Sequence, residues 1–182
     1  MCAALAALLL CSLTACGKTE EPARQDIFAM DTYMSLVAYG EDGQEALAAA
    51  AREINRLEQE LSRTVSTSYI YKLNENGSAA VSEETANLLK NAMDYSAATG
   101  GLFDMTVAPL VSLWGITTDS PRVPSRSEID ALLPLVGSDH VHLDGQTVTL
   151  DAGCAVDLGG IAKGYASDRV AQVLGQYAVT GA

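Results

Sequence analysis

The stretch Val156-Asp157-Leu158-Gly159-Gly160-Ile161-Ala162-Lys163-Gly164-Tyr165-Ala166 constrains this chain more than any other segment. It reads as a short apolar strand, near Ala155–Leu158, that enters a Gly-Gly turn and then a helix over Ala162 to Leu174. Lys163 falls in the first turn of that helix. Free backbone N–H groups, the positive end of a helix dipole and a side-chain cation would then meet at one place. Such a place suits a phosphate or a diphosphate. Two glycines between a strand and a helix are common, so the motif gains its meaning from its neighbours.

Charge narrows the partners. The 182 residues carry a formal charge of -12, which argues against nucleic acid, whose phosphates demand a basic face. It argues equally against electrostatic adhesion to an anionic membrane and reads as a solubility feature. With 48% hydrophobic and 5% aromatic residues, the chain can bury a core of one domain that mixes helices and strands.

The first sixteen residues differ from the rest. Met1 to Cys16 hold no charge, and Ala3 to Leu10 is an unbroken Ala/Leu run, too short for the roughly 20 residues of a bilayer span. Residues 1–15 read as a signal peptide ending in Leu13-Thr14-Ala15-Cys16, which resembles a bacterial lipobox, with Cys16 as the lipid-modified first residue. A buried N-terminal helix is the competing reading. No Lys or Arg precedes the apolar run, so the translational start is expected upstream. Residues 16–26, polar and containing Pro22, read as a lipidated tether that holds the domain at the outer face of the cell membrane. Cys2 and Cys11 would leave with the signal. Cys154, in an apolar context, is read as a packing residue without a disulfide partner.

Along the rest of the chain, Ile27 to Tyr39 reads as one strand and Gln44 to Leu61 as a helix with an apolar stripe through Leu47, Ala50, Ile54, Leu57 and Leu61. Arg52, Glu53, Arg56 and Glu60 read as its solvated face. Ser68 caps a short helix through Lys72, and Ser82 caps a long one over Glu83–Ala98 that ends at Gly100-Gly101. Pro109 opens a helix through Trp114, with Leu110, Leu113 and Trp114 read as core. Ser125-Arg126-Ser127-Glu128 matches a capping box for a helix near Glu128–Leu133. His140–Leu143 and Thr147–Leu150 form a hairpin across Asp144-Gly145. His140 and His142 make a candidate metal pair, but two imidazoles without a third ligand read better as exposed hairpin residues.

Polar groups cluster in three apolar settings: Phe28 to Tyr33, Gly100 to Gly115, and the opening motif. Asp104, between Phe103 and Met105, is either paired with a ligand or capping a turn, because a lone buried carboxylate is costly. No Ser-His-Asp or Cys-His triad is present, and the opening motif lacks the P-loop pattern.

These segments together resemble the ApbE-type FAD:protein FMN transferases, also called thiamine-biosynthesis lipoproteins. The resemblance rests on Met30-Asp31-Thr32, Ser68 to Asn74, Gly100-Gly101-Leu102-Phe103-Asp104-Met105-Thr106-Val107-Ala108-Pro109-Leu110 with Leu113-Trp114-Gly115, and Asp157 to Ala166. It implies an α+β, T-fold-like domain over residues 27–182. It also implies Mg²⁺-dependent transfer of FMN from FAD to a Thr or Ser hydroxyl of an acceptor redox protein, with release of AMP. By the same resemblance Met30 and Thr64 would line the flavin-nucleotide pocket, although family members often carry an aromatic residue in place of Thr64. Leu102, Phe103, Asp104 and Asp157 would contact FAD, Lys163 would bind near its diphosphate, and the Gly160 carbonyl would face Mg²⁺. The family continues with a Gly-Gly-Asn/Asp strand, a His-containing loop and an Asp-x-x-x-Thr metal motif, whereas this sequence stops at Ala182. The expectation is therefore a C-terminally truncated domain whose catalytic residues lie beyond Ala182. An FAD-binding lipoprotein without transfer activity and an inactive fragment of the transferase are the alternatives.

Overall fold

The computed structural model describes residues 21–116 and 118–182. The signal segment, the lipobox and Cys16 lie outside them. Among the described residues no helix is long and apolar enough to cross a membrane.

The longest helix, α1 (Gly43–Leu61), organises the rest. Ala46, Ala49, Ala50 and Ala51 are buried with Leu47, Ile54, Leu57 and Leu61, so neighbours approach its backbone closely on more than one side. An antiparallel hairpin packs on one side of α1. It comprises β1 (Ala23–Ala29) and β2 (Thr32–Ala38), with Ile27 opposite Met34 and Phe28 opposite Tyr33. Another side of α1 meets α6 (Ala162–Leu174). Next in sequence come α2 (Tyr69–Asn76), β3 (Ser78–Ala80) and α3 (Glu83–Ala98). The chain continues through α4 (Ala108–Trp114) and α5 (Arg126–Leu132) to β4 (Val141–Asp144) and β5 (Thr147–Leu150). A three-stranded antiparallel sheet runs in the order β3-β5-β4. Between it and the helices lies a core that includes Leu57, Ile70, Leu73, Leu89, Met105, Val148, Val156 and Leu158. This is the α+β arrangement expected.

Helix limits follow the caps. Ser68 Oγ accepts the Tyr71 N–H at 2.9 Å and Gly77 closes α2 at φ 69°, which carries that helix four residues past Lys72 to Asn76. The Ser125–Glu128 capping box is formed and starts α5 at Arg126.

Several expectations need correction. The single strand expected over Ile27–Tyr39 is a hairpin, because Met30 and Asp31 both hold positive φ, 52° and 54°, as a tight two-residue turn. No Asn-Gly or Asp-Gly pair announces this turn; the Glu58 carboxylate of α1 holds it by accepting the Met30 N–H at 2.7 Å. β1 starts at Ala23, so Ala23 to Asp26 belong to the sheet rather than to a tether. β3, which the sequence did not suggest, completes the second sheet. Trp114 is 37% exposed rather than core. Glu53, Arg56 and Glu60 are not a solvated face. Arg56 pairs with Glu53 (2.8 Å), Glu60 (2.7 Å) and Glu84 of α3 (2.9 Å), and Arg169 of α6 pairs with Glu53 and Glu84. The Tyr165 hydroxyl donates to Glu84 at 2.6 Å, and burial together with that carboxylate pushes its pKa up to about 12. Three helices are thus tied by one polar network.

The largest correction concerns Ala155–Leu158, which belongs to no sheet. Its backbone is held by a side chain: Asn74 Nδ2 donates to the Val156 carbonyl at 2.9 Å and Asn74 Oδ1 accepts the Val156 N–H at 2.8 Å. The carboxamide of α2 acts as a one-residue strand. Asp157 N–H adds a bond to the Met105 carbonyl at 2.7 Å. Asn74→Ala would leave both polar groups of the fully buried Val156 unpaired. We expect a stability loss of about 2–4 kcal/mol in urea denaturation, from about 1–3 kcal/mol per unsatisfied buried group. A loss below about 0.5 kcal/mol, the level of a neutral surface change, would show that Asn74 does not hold this segment.

Candidate functional site

The held segment delivers its next residues to a cleft of about 580 Å³, within the range of roughly 300–1,000 Å³ usual for small-ligand sites. Met30, Thr64, Leu102, Phe103, Asp104, Asp157, Gly160 and Lys163 all line it. The residues that the resemblance assigns to FAD and Mg²⁺, from segments far apart in the chain, are therefore all on one wall or another of the same cavity.

Each wall has its own cause. Met30 and Asp31 are turned into the cleft by the left-handed hairpin turn, which Glu58 fastens to α1. Thr64 follows the end of α1 in a loop ordered by the Ser62 hydroxyl, which accepts the Thr64 and Val65 N–H groups at 3.1 and 3.2 Å. Phe103 packs against Gly160: a Cβ there would lie 3.0 Å from the ring, so a larger residue would push the aromatic back by a few tenths of an ångström. Gly159 is similarly close-packed, since a Cβ would lie 3.0 Å from Asp157 Oδ1. Neither glycine serves a left-handed conformation. Beyond Phe103 and Gly160 a second groove, about 480 Å³, runs between α3 and α6 past Tyr95 and Tyr165.

Asp104 resolves toward the turn-capping reading while still lining the cleft. Its Oδ1 accepts the Thr106 N–H at 2.8 Å and the Thr106 hydroxyl at 2.5 Å, and Oδ2 accepts the Ser96 hydroxyl at 3.2 Å. The cost of a half-buried carboxylate is met inside the protein.

The Gly-Gly turn also differs from the sequence expectation. The Gly159 N–H donates to Asp157 Oδ1 at 2.8 Å, and the Ile161 and Ala162 N–H groups both donate to the Leu158 carbonyl. Three of the N–H groups expected to meet an anion are thus already bonded. What remains for a ligand is the exposed Lys163 ammonium at the rim and the N-terminal end of a thirteen-residue helix.

Sequence reasoning missed Glu58 and Arg63. Arg63 Nε donates to Asp157 Oδ2 at 2.8 Å, with both side chains less than one-fifth exposed. A cation adjoining Thr64, between α1 and Ser68, was the signal available for it. Four carboxylates (Asp31, Glu58, Asp104, Asp157) and two cations (Arg63, Lys163) line the cleft, which leaves two negative charges in excess. Among the described residues no group of three His, Cys, Asp or Glu assembles a metal site.

Away from the cleft, His140 and His142 both reach Asp151, at 2.9 and 2.8 Å, and His140 Nε2 also faces the Pro134 carbonyl at 3.1 Å. His140 closes a short 3-10 turn rather than starting the strand, and the pair clamps the Asp151 carboxylate. Cys154 is free and buried, and burial raises its thiol pKa, as suits a packing residue.

A mixed helix-and-sheet domain with a ligand-sized cleft at a helix N-terminus, mostly apolar residues about two cations, defines a small-molecule binding class. The chain belongs to the ApbE family, whose match spans residues 30–182. It is 33% identical to the FAD:protein FMN transferase of Vibrio cholerae over 181 residues, covering 94% of this chain and 54% of that protein. Identity to the transferase of Salmonella typhimurium is 30%, covering 97% and 55%. Among solved structures, the ApbE protein of Thermotoga maritima superposes with a TM-score of 0.80 at 34% identity, over 85% of this chain and 52% of that one. The flavin transferase ApbE of Vibrio cholerae gives 0.76 at 27%, over 87% and 55%. The chain spans about half the length of the curated relatives it matches.

The histidine clamp offers a pH test. The Asp151 carboxylate raises the His140 pKa above its ordinary 6.5, and the two imidazoles lower that of Asp151 below its ordinary 3.8. A raised histidine stabilises the fold below its unfolded pKa and loses that effect as pH rises through the folded one. A depressed carboxylate loses its effect as pH falls. The clamp should therefore contribute most between about pH 4 and 6.5. Histidine NMR titration should place His140 above 6.5, and Asp151→Asn should bring it down. An unshifted His140 would contradict the clamp.

Proposed function

We propose that this protein transfers FMN from FAD, with Mg²⁺, to a threonine or serine hydroxyl of a partner protein and releases AMP. One observation carries the reading: the residues that the resemblance assigns to FAD, scattered from Met30 to Lys163, line a single cleft. The relatives named as FAD:protein FMN transferases support the same activity.

Each lining residue has a task in this reading. Phe103 offers a ring face for the flavin or adenine, in keeping with the stacking preference of aromatic surfaces. Met30, Thr64 and Leu102 close around the remaining ring surface and keep water from it. Lys163 neutralises the diphosphate, helped by the dipole of α6. Asp157 fixes the Gly159–Gly160 turn against which the diphosphate lies.

The residues present fit a divalent cation. A doubly negative diphosphate entering a lining that already has two negative charges in excess needs positive charge beyond Lys163 and Arg63. Mg²⁺ takes few protein ligands and the rest from phosphate and water, so the Gly160 carbonyl and the diphosphate oxygens would hold it. When bound it supplies charge neutralisation at the reacting phosphorus.

In the transfer the acceptor oxygen forms a bond to the phosphorus of the FMN half. The bond from that phosphorus to the bridging oxygen breaks, AMP leaves with the electron pair, and the hydroxyl proton is lost to a base. Positioning and charge carry most of such a step. The acceptor is a redox protein at the outer face of the cell membrane, and lipid on Cys16 would hold the transferase beside it; both belong to this proposal.

Lys163→Ala should weaken FAD binding about 10- to 100-fold, the worth of one charge-assisted hydrogen bond. Chelation with EDTA should weaken it in the wild type as well. Fluorescence titration measures both, and an unchanged dissociation constant in Lys163→Ala would sink the lysine assignment. Covalent fluorescent flavin on an acceptor after incubation with FAD and Mg²⁺ supports transfer; reversible binding alone would reduce the protein to a carrier.

A further inference from the structure

We propose that Thr106 is a positioning residue of the cleft: its hydroxyl, tied to the Gly137 N–H, fixes the Asp104 carboxylate as an acceptor for a hydrogen-bond donor on the ligand. The inference rests on the proposed FAD site and gives a role to a side chain that does not itself line the cleft.

Thr106 lies in a single 3-10 turn, Met105–Val107, for which Asp104 is the N-cap. The side chain is fully buried, so its hydroxyl needs partners within the protein. It has two. The Gly137 N–H, from the connection between α5 and β4, donates to Thr106 Oγ1 at 2.7 Å, and Asp104 Oδ1 lies 2.5 Å from the same atom. A hydroxyl has one proton and two lone pairs, a backbone N–H only donates and a carboxylate only accepts. The hydroxyl proton is therefore directed to Asp104, since no other arrangement satisfies both contacts.

The bonds on Asp104 show what this achieves. Oδ1 also accepts the Thr106 N–H at 2.8 Å, which fills both of its lone pairs. Oδ2 accepts the Ser96 hydroxyl at 3.2 Å and keeps one acceptor position. That position is what Asp104 brings to the cleft it lines, and it suits a hydroxyl or an N–H group of the ligand. The outer torsion of an aspartate is broad, so its carboxylate keeps one orientation only where hydrogen bonds impose it. Without the Thr106 hydroxyl, Oδ1 regains a lone pair and the carboxylate is freer to turn. The same 3-10 turn is tied to the opposite end of the motif, because the Met105 carbonyl accepts the Asp157 N–H at 2.7 Å. Asp104 is thus held in register with the segment that carries the Gly159–Gly160 turn.

Positioning has to be separated from general support of the cleft. Thr106→Val, Thr106→Ser, Asp104→Ala and Thr106→Val/Asp104→Ala variants of this chain would be titrated with FAD by fluorescence. Valine keeps the shape and removes the hydroxyl, whereas serine keeps the hydroxyl. We expect Thr106→Val to weaken FAD binding about three- to tenfold, the worth of one hydrogen bond. Thr106→Ser should bind within about twofold of the wild type, as a conservative change does. In the Asp104→Ala background the valine should change the affinity by less than about twofold, because nothing is left for Thr106 to act through. Equal losses in both backgrounds would make Thr106 a packing residue and overturn the proposal. A serine variant as weak as the valine one would overturn it too. Where Thr106→Val does not fold, Thr106→Cys, a weaker donor of similar size, takes its place in the cycle with the same outcomes. If the wild type binds FAD and Thr106→Val binds it equally well, this inference alone fails. If the wild type binds no FAD at all, the functional reading fails with it.

Discussion

The cleft depends on one backbone segment that has no sheet to belong to. Residues 154–158 lead into the Gly159–Gly160 turn, and the Asn74 carboxamide gives Val156 the two hydrogen bonds that a neighbouring strand would have given. A segment without such partners would leave buried N–H and C=O groups unsatisfied, which proteins rarely tolerate. Once Val156 is fixed, Asp157 is fixed, and with it the turn, the glycine surface under Phe103 and the start of α6. Folding and function share this one constraint.

Around it the protein spends polar groups on alignment rather than on chemistry. Asp104 and Asp157 each hold a neighbouring backbone N–H, and Glu58 holds the hairpin turn at Met30. The Glu53–Arg56–Glu84–Arg169 network, with Tyr165, ties α1, α3 and α6. The cavity is therefore shaped by carboxylates whose hydrogen-bonding capacity is largely used internally. Its free charge is concentrated on few groups, and Lys163 at the rim is chief among them.

Much of this was legible in the sequence, and the failures have physical causes. Local signals gave helices α3 and α6 at their observed limits, and the Ser68, Ser82 and Ser125 caps, because a cap is a contact between near neighbours. The segments at Phe28–Tyr33, Gly100–Gly115 and Asp157–Ala166 were legible as polar groups in apolar settings, and they do meet in space. What stayed hidden was set by distant residues. The Met30–Asp31 turn lacks turn chemistry and is held by Glu58. The apolar run at Val156 looks like a strand, and only Asn74 reveals that it is not one. Arg56 looks solvated until Glu84 of another helix comes beside it. The generic reading of the Gly-Gly turn as a nest of free N–H groups gave way to a turn satisfied by its own residues, with glycines kept for close approach.

In the proposed function the Gly159–Lys163 turn and Phe103 seat the FAD diphosphate and ring. A crystal structure of the protein soaked with FAD and Mg²⁺ tests it most directly. The diphosphate should lie within hydrogen-bonding distance of Lys163 Nζ and along the Gly159–Gly160 turn, with a ring system against Phe103. Ordered FAD in the groove between α3 and α6, or a diphosphate out of reach of Lys163, would contradict it.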